Sequence, residues 1–185
     1  MERTDVFRII HKYIPPDSPT YPLYVIHCML VAQRAVEIGQ RLGLAAERVA
    51  FLEEAAMLHD IGIVATNTPS LFCTGTLPYL MHTVEGAKML AAEGLPLHAR
   101  VAERHANVTQ ADILERNLPL PARDMTCETE EEEIISFADC FYSKVPDNLW
   151  HEKSLTDIRR SFGRYGVRKQ AIIEEWIERF YAKSD

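Results

Sequence analysis

Seven histidines stand in this chain of 185 residues, and four of them occupy positions that could do chemistry. His27 lies in the first turns of a predicted helix, and His59 with its neighbour Asp60 ends another. His82 begins a third and His105 ends a fourth. Asp139 falls in an apolar run beside Phe137, Ala138 and Phe141. A carboxylate on such a face cannot stay charged and unpaired without a cost of several kcal/mol. His59-Asp60 poses the same problem between Ala55-Ala56-Met57-Leu58 and Ile61. Metal coordination answers all of these burial problems together. Neutral imidazoles and carboxylates are usual ligands of divalent transition metals, and an ion neutralises the acids. Adjacent helical residues point about 100° apart, yet at a helix terminus His59 and Asp60 can both lean toward one ion. Asp60 has a second oxygen with which to bridge another. Gly62 permits the sharp exit that two coordinating neighbours require. A lone histidine on an apolar face is more often a hydrogen-bonded core residue. His11, His98 and His151 lack such a context and are expected at the surface.

Helices must carry these groups. Apolar residues recur at intervals of three and four almost throughout, and alternation with period two is hard to find. Val6, Ile9, Ile10 and Tyr13 form the stripe of a first helix, closed by Pro15-Pro16. A second begins near Pro22 and runs to Gly43, and a third spans about Ala46 to Asp60. Others are expected from His82 to Ala92 and from Leu97 to Asn107. Thr129 with Glu132 three residues on reads as a capping box, opening a helix through Phe141. Ser154 to Arg164 and Val167 to Lys183 complete an all-α chain. Between Ile63 and Tyr79 lies an irregular segment with Pro69, Gly75 and Pro78. Residues 66–79 could form a lid with Phe72 and Tyr79 as faces for a ring, or simply close the core. Trp150, Trp176, Phe180 and Tyr181 are explained by packing, and an exposed part of that stripe could support a homodimer.

Composition narrows the function. The 47% hydrophobic fraction fits one domain with a buried core. Twenty basic against 27 acidic residues give a net charge of −7, which repels phosphate backbones and argues against a grip on long nucleic acid. A small anionic substrate is compatible if a bound cation supplies positive charge. Apolar stretches such as Val49 to Leu58 are too short to span a bilayer. Met1-Glu2-Arg3-Thr4-Asp5 lacks the basic flank and apolar run of a secretory signal. Cys28, Cys73, Cys127 and Cys140 form no CxxC pair, so reduced thiols in a cytoplasmic protein are expected. The Glu130 to Glu133 run reads as charge favoured at a helix N-terminus. Arg104 is expected on a solvated face, and Arg123 against Asp124 or Glu128.

The order His27, His59-Asp60, His82, His105, Asp139, with His59-Asp60-Ile61-Gly62 as a literal HDIG string, resembles the HD-domain metal-dependent phosphohydrolase superfamily. His82-Thr83-Val84-Glu85-Gly86 is similar to its HxxxG element, and Ala138-Asp139 to its closing aspartate. The resemblance covers about residues 22–145 and implies one helical HD domain over 1–185, with a helical extension over about 150–185. His27, His59, Asp60 and Asp139 match the set that holds one ion. His82 and His105 match the further pair of members with two ions bridged by Asp60. Iron or manganese is then expected, with Zn, Ni or Mg also compatible. Ile63 follows Gly62 where HD-GYP phosphodiesterases continue with lysine, and their GYP element and double histidine are missing. That departure argues against cyclic di-guanylate hydrolysis.

The implied activity is hydrolysis of a phosphomonoester or phosphodiester in a small, nucleotide-like substrate by a metal-activated hydroxide. Asp60 and Lys144 are the candidate catalytic groups. Lys144, five residues after Asp139 on an adjoining helical face, would meet substrate phosphate or else be a surface lysine over Tyr142. Two alternatives share the centre: a di-iron oxygenase of the kind some six-ligand relatives are, with Tyr21 and Tyr24 near the site, or a non-catalytic module binding metal or nucleotide for regulation.

Overall fold

Asp5 opens the first helix by accepting a hydrogen bond from the Arg8 backbone N–H at 3.0 Å, an ordinary N-cap. The computed structural model describes residues 3–181. Along them run α1 (Val6–Tyr13), α2 (Thr20–Arg41), α3 (Ala46–Leu58), α4 (His82–Ala92) and α5 (Pro96–Arg104). Then follow α6 (Gln110–Glu115), α7 (Glu130–Asp139), α8 (Leu155–Gly163) and α9 (Val167–Phe180). The fold is all-α, as the periodicity predicts. Among the described residues the one sheet is a pair of two-residue strands, β1 (Asn67–Thr68) antiparallel to β2 (Cys73–Thr74). No helix among them is long and apolar enough to cross a membrane.

The centre of the bundle is α2. Tyr24, Cys28, Val31, Ala35 and Ile38 recur at three and four residues, are buried, and place His27 on the same face. That face packs on α3 and α7, whose Ala55, Ala56 and Ala138 are fully buried. Small residues there leave room for polar side chains between helices. The Tyr24 hydroxyl donates to the Met57 carbonyl at 2.8 Å, pinning α2 to the last turn of α3 two residues before His59. Ile158, Ile173, Trp176 and Phe180 carry α8 and α9 onto the same continuous core. Burying each such large side chain contributes about 1.5–3 kcal/mol.

The acidic start of α7 does more than meet a helix dipole. Thr129 and Glu132 form the expected capping box. Arg48 of α3 also pairs with Glu130 at 2.9 Å, Arg100 of α5 with Glu132 at 3.0 Å, and Arg179 of α9 with Glu133 at 2.8 Å. The run therefore ties three helices to α7.

Several boundaries differ from expectation. Helices α3, α5 and α7 end at Leu58, Arg104 and Asp139, so His59 and His105 cap their helices and Asp60 lies beyond one. Helix α6 is unanticipated: Thr109 and Asp112 close a capping box around only six residues. The irregular segment contains short 3-10 turns and the β1–β2 hairpin. His98 is buried against Phe51, ring centroids 4.9 Å apart, not at the surface. Arg104 is not solvated; it donates to the Thr126 carbonyl at 2.7 Å and pairs with Glu128 at 2.6 Å. The partner of Arg123 is Glu103. Trp150 is 72% exposed rather than packed. The expected extension of the last helix to Lys183 lies outside the described residues.

Candidate metal centre

Helix ends position the site. His59 is the C-cap of α3, His82 the first residue of α4 and His105 the C-cap of α5. Each ring donates its Nδ1–H to the carbonyl three residues earlier. The acceptors are Ala56 at 2.6 Å, Tyr79 at 2.6 Å and Ala102 at 2.8 Å. These bonds select one tautomer and turn the Nε2 lone pair of each ring inward, as supporting hydrogen bonds do for metal-binding histidines. Asp60 follows at φ −102°, ψ 8°, in the sparsely populated bridge region common among active-site residues.

The inward atoms form two groups that share Asp60. His27 Nε2 lies 3.2 Å from Asp60 Oδ2 and 3.0 Å from Asp139 Oδ1. His59 Nε2 lies 3.1 Å and 3.6 Å from the same two oxygens. On the other side, Asp60 Oδ1 lies 3.2 Å from His82 Nε2 and 3.6 Å from His105 Nε2. Both groups could hold a metal ion. Metal–ligand bonds of about 2.0–2.2 Å at tetrahedral or octahedral angles put neighbouring donors about 2.8–3.6 Å apart.

The donors fit an ion better than they fit one another. His27 Nε2, His59 Nε2, both Asp60 oxygens and Asp139 Oδ1 are buried and make no hydrogen bond of acceptable geometry, although they stand within bonding distance. His82 Nε2 and His105 Nε2 are 3.1 Å apart, and with both Nδ1–H groups spent on carbonyls each presents a lone pair. Two lone pairs facing each other and a carboxylate need a cation between them.

Charge in the cluster is finely set. Burial would raise the Asp60 pKa, but His59, Lys144 and His27 hold it well below the usual carboxylate range. Asp139, likewise opposed by burial, is held down by Lys144, His27 and His59. Burial, then His59, push His105 down to about 3 despite Asp60, so it is a neutral donor at neutral pH. Burial opposes charge on His59, but Asp60 and Asp139 keep its pKa well above the ordinary histidine value.

Lys144 is not on a helix, since α7 ends at Asp139 and the chain turns back. That turn brings its Nζ within 2.6 Å of Asp60 Oδ2 and 3.9 Å of Asp139 Oδ1. The side chain is thus at the cluster and not over Tyr142 at the surface. Asp139, His105, Lys144 and Tyr79 open onto a cavity of about 700 Å³, within the usual range for small-molecule sites. Tyr79 lays its ring 4.6 Å from that of His82. Thr68, Ser70 and Leu71 form part of the wall, but Phe72 points to solvent and does not line it. Sequence reasoning missed Lys153 and Lys169 on this cavity; neither carries a local motif.

The sequence profile of the HD domain family matches residues 24–143. The chain belongs to the HD domain family. Its candidate centre lies wholly inside the matched span, whereas Lys144 and the last two helices follow it. Among solved structures, the HD domain of the L. monocytogenes phosphodiesterase PgpH in complex with cyclic-di-AMP superposes with a TM-score of 0.55. It is 18% identical, with 98% of this chain and 87% of that chain covered. A second structure of that HD domain gives 0.56 and 16%, covering 94% of this chain and 95% of that one. At such identity the likeness is one of fold. No curated protein sequence matches the chain.

Gly62 of this HD domain has a different role from an easy turn. A Cβ there would stand 2.1 Å from the His82 carbonyl oxygen and 2.4 Å from Gly86 N. The absent side chain lets the His59-Asp60 turn lie against α4 and so brings His82 to Asp60. Gly62→Ala should lower stability by about 1–3 kcal/mol through overpacking and weaken metal retention on the His82 side. Melting and metal content would check this, and a variant matching wild type in both would contradict it.

Proposed function

We propose that this HD-domain protein is a metal-dependent phosphohydrolase acting on a phosphomonoester or phosphodiester of a small, nucleotide-like molecule. The observation that carries the reading is the pair of inward-facing donor groups sharing Asp60, of which His105 and Asp139 line the cavity. His27, His59, Asp60 and Asp139 would hold one ion, and Asp60, His82 and His105 a second. Iron or manganese is the preferred metal, and Zn, Ni or Mg suit the same donors. The chemistry supplied by a divalent ion there is a water ionised near neutral pH and a Lewis acid for phosphoryl oxygen.

The chain's own residues do the rest. The carbonyls of Ala56, Tyr79 and Ala102 keep three imidazoles in the donor tautomer. Asp60 spans both donor groups and is the catalytic carboxylate. The Lys144 ammonium would meet charge that develops on the phosphoryl oxygens, as fixed cations do in such sites. The Tyr79 and Tyr142 side chains on the cavity wall offer faces for a base or sugar. The whole chain is taken as one domain in a cytoplasmic setting, where its free cysteines stay reduced.

Elemental analysis of protein purified without chelator, followed by a phosphoester panel with added manganese, tests this reading. Two ions per chain and turnover that is indifferent to oxygen are expected. Metal-free protein that turns over no phosphoester in manganese would overturn it, and turnover that requires oxygen would point to the di-iron oxygenase instead.

A further inference from the structure

Beyond the donor cluster, the cavity runs along residues that follow the matched HD span. Its walls carry Lys153 and Lys169 as well as Lys144. The carboxylate on this part of the wall is Asp157, which already takes Ser154 and Arg160. In a chain of net charge −7, three ammonium groups on one cavity concentrate the minority sign.

Lys169 reaches in from α9, is 8% exposed, and donates to the carbonyls of Ala106, at 2.9 Å, and Asn107. Those residues directly follow His105. Lys153 donates to the carbonyls of Cys140 and Tyr142, each at 3.4 Å, just after Asp139. The two lysines are therefore fixed close to the donor cluster by different elements. Unlike Lys144, neither forms a salt bridge among the described residues. An ammonium has three donors, so two carbonyls leave one N–H on each lysine and neutralise no charge. Burial above all pushes Lys169 down to about 8, which leaves it mostly protonated at neutral pH. Ile158, Phe162 and Trp176 line the same cavity and suit an apolar ring.

We propose that Lys153 and Lys169 hold a second, non-reacting phosphate of the substrate. The substrate class is then a small molecule with two separate phosphate groups, one at the donor cluster and Lys144, the other at this lysine pair. A phosphate fits because its tetrahedral oxygens can accept from two cations arriving from different directions, and its charge near −2 matches theirs. The assignment of the reacting end rests on the phosphohydrolase reading; the lysine pair does not.

Adenosine 3′,5′-bisphosphate and adenosine 5′-monophosphate serve as probes on the full chain. By calorimetry without added metal, Lys153→Gln and Lys169→Gln should each weaken bisphosphate binding about 10-fold, the scale of a charge-assisted contact. Lys88→Gln, on the exposed face of α4, should not. With manganese, wild type should prefer the bisphosphate in kcat/KM by about 10-fold or more, and the ratio should fall toward one in the variants. If Lys169→Gln fails to fold because its carbonyl partners are lost, Lys153→Gln and the harsher Lys153→Glu carry the test. Bisphosphate binding unchanged in the lysine variants, or wild type indifferent to the second phosphate, would overturn the proposal. Binding that behaves as expected without any turnover would leave the subsite standing and defeat the hydrolase reading.

Discussion

Asp60→Asn should lose both metal retention and turnover while keeping the size of the side chain. The carboxylate lies between the two donor groups, with Oδ2 toward His27 and His59 and Oδ1 toward His82. An amide keeps one acceptor and turns an N–H₂ toward lone pairs on the other side. It also removes one of the two negative charges that an ion would neutralise, and leaves Lys144 without its 2.6 Å partner. Metal affinity should fall by more than the roughly 10–100-fold lost with a supporting hydrogen bond. Turnover should fall at least about 10³-fold, the upper end for a single electrostatic stabiliser. Lys144→Met makes the contrast, since it should keep the metal and lose about 10²–10³-fold in rate. Metal content and rates on the same phosphoester would separate the two. An Asp60→Asn protein that is metal-loaded and active would refute the role given to Asp60.

For each ion that it removes, chelation should lower the melting temperature by about 8–16 °C relative to protein in metal at 1,000 times that site's dissociation constant. Such an excess stabilises the fold by about 4 kcal/mol, and a domain of this size shifts about 2–4 °C per kcal/mol. The structural reason lies in the orphaned atoms. His27 Nε2, His59 Nε2, Asp60 Oδ1 and Asp139 Oδ1 are buried without a hydrogen bond, and these are atoms that an ion would take up.

The gap should also depend on pH. Against the effect of burial, Asp60 and Asp139 raise the His59 pKa above its ordinary 6.5. A proton on His59 therefore stabilises the metal-free fold fully below that ordinary value, and the stabilisation is lost as pH rises through the raised one. Metal binding must displace this proton. The difference in melting temperature between loaded and chelated protein should then widen as pH increases. Thermal melts in manganese and in chelator across the neutral range would show it, and coincident melts at every pH would contradict it.

Much of the helical frame was legible because it rests on local rules. The Thr129-to-Glu132 capping box and the spacing from Tyr24 to Ile38 each express a short-range preference that the tertiary fold keeps. Helix α6 was not legible: six residues are too few to show a period, and Asp112 replaces the usual glutamate in its cap. His98 follows Leu95-Pro96-Leu97 as a surface residue would, yet Phe51 and Glu54 of α3 cover it. The cluster residues could be named in order because their types are unusual on apolar helices. Their geometry could not be read, since it depends on helix ends: a single further turn on α3 would swing Asp60 away from His27. The same limit hid the placement of Lys144, which follows from α7 stopping at Asp139. It hid Lys169 as well, whose burial is created by the carbonyls of Ala106 and Asn107 on a distant segment.

Anomalous diffraction at the manganese edge, from crystals grown with that ion, tests the central claim most directly. Two peaks are expected, one among His27, His59, Asp60 and Asp139 and one among Asp60, His82 and His105, with the Asp60 carboxylate between them. A map without a peak at Asp60, its oxygens still held by the Lys144 ammonium, would contradict the account.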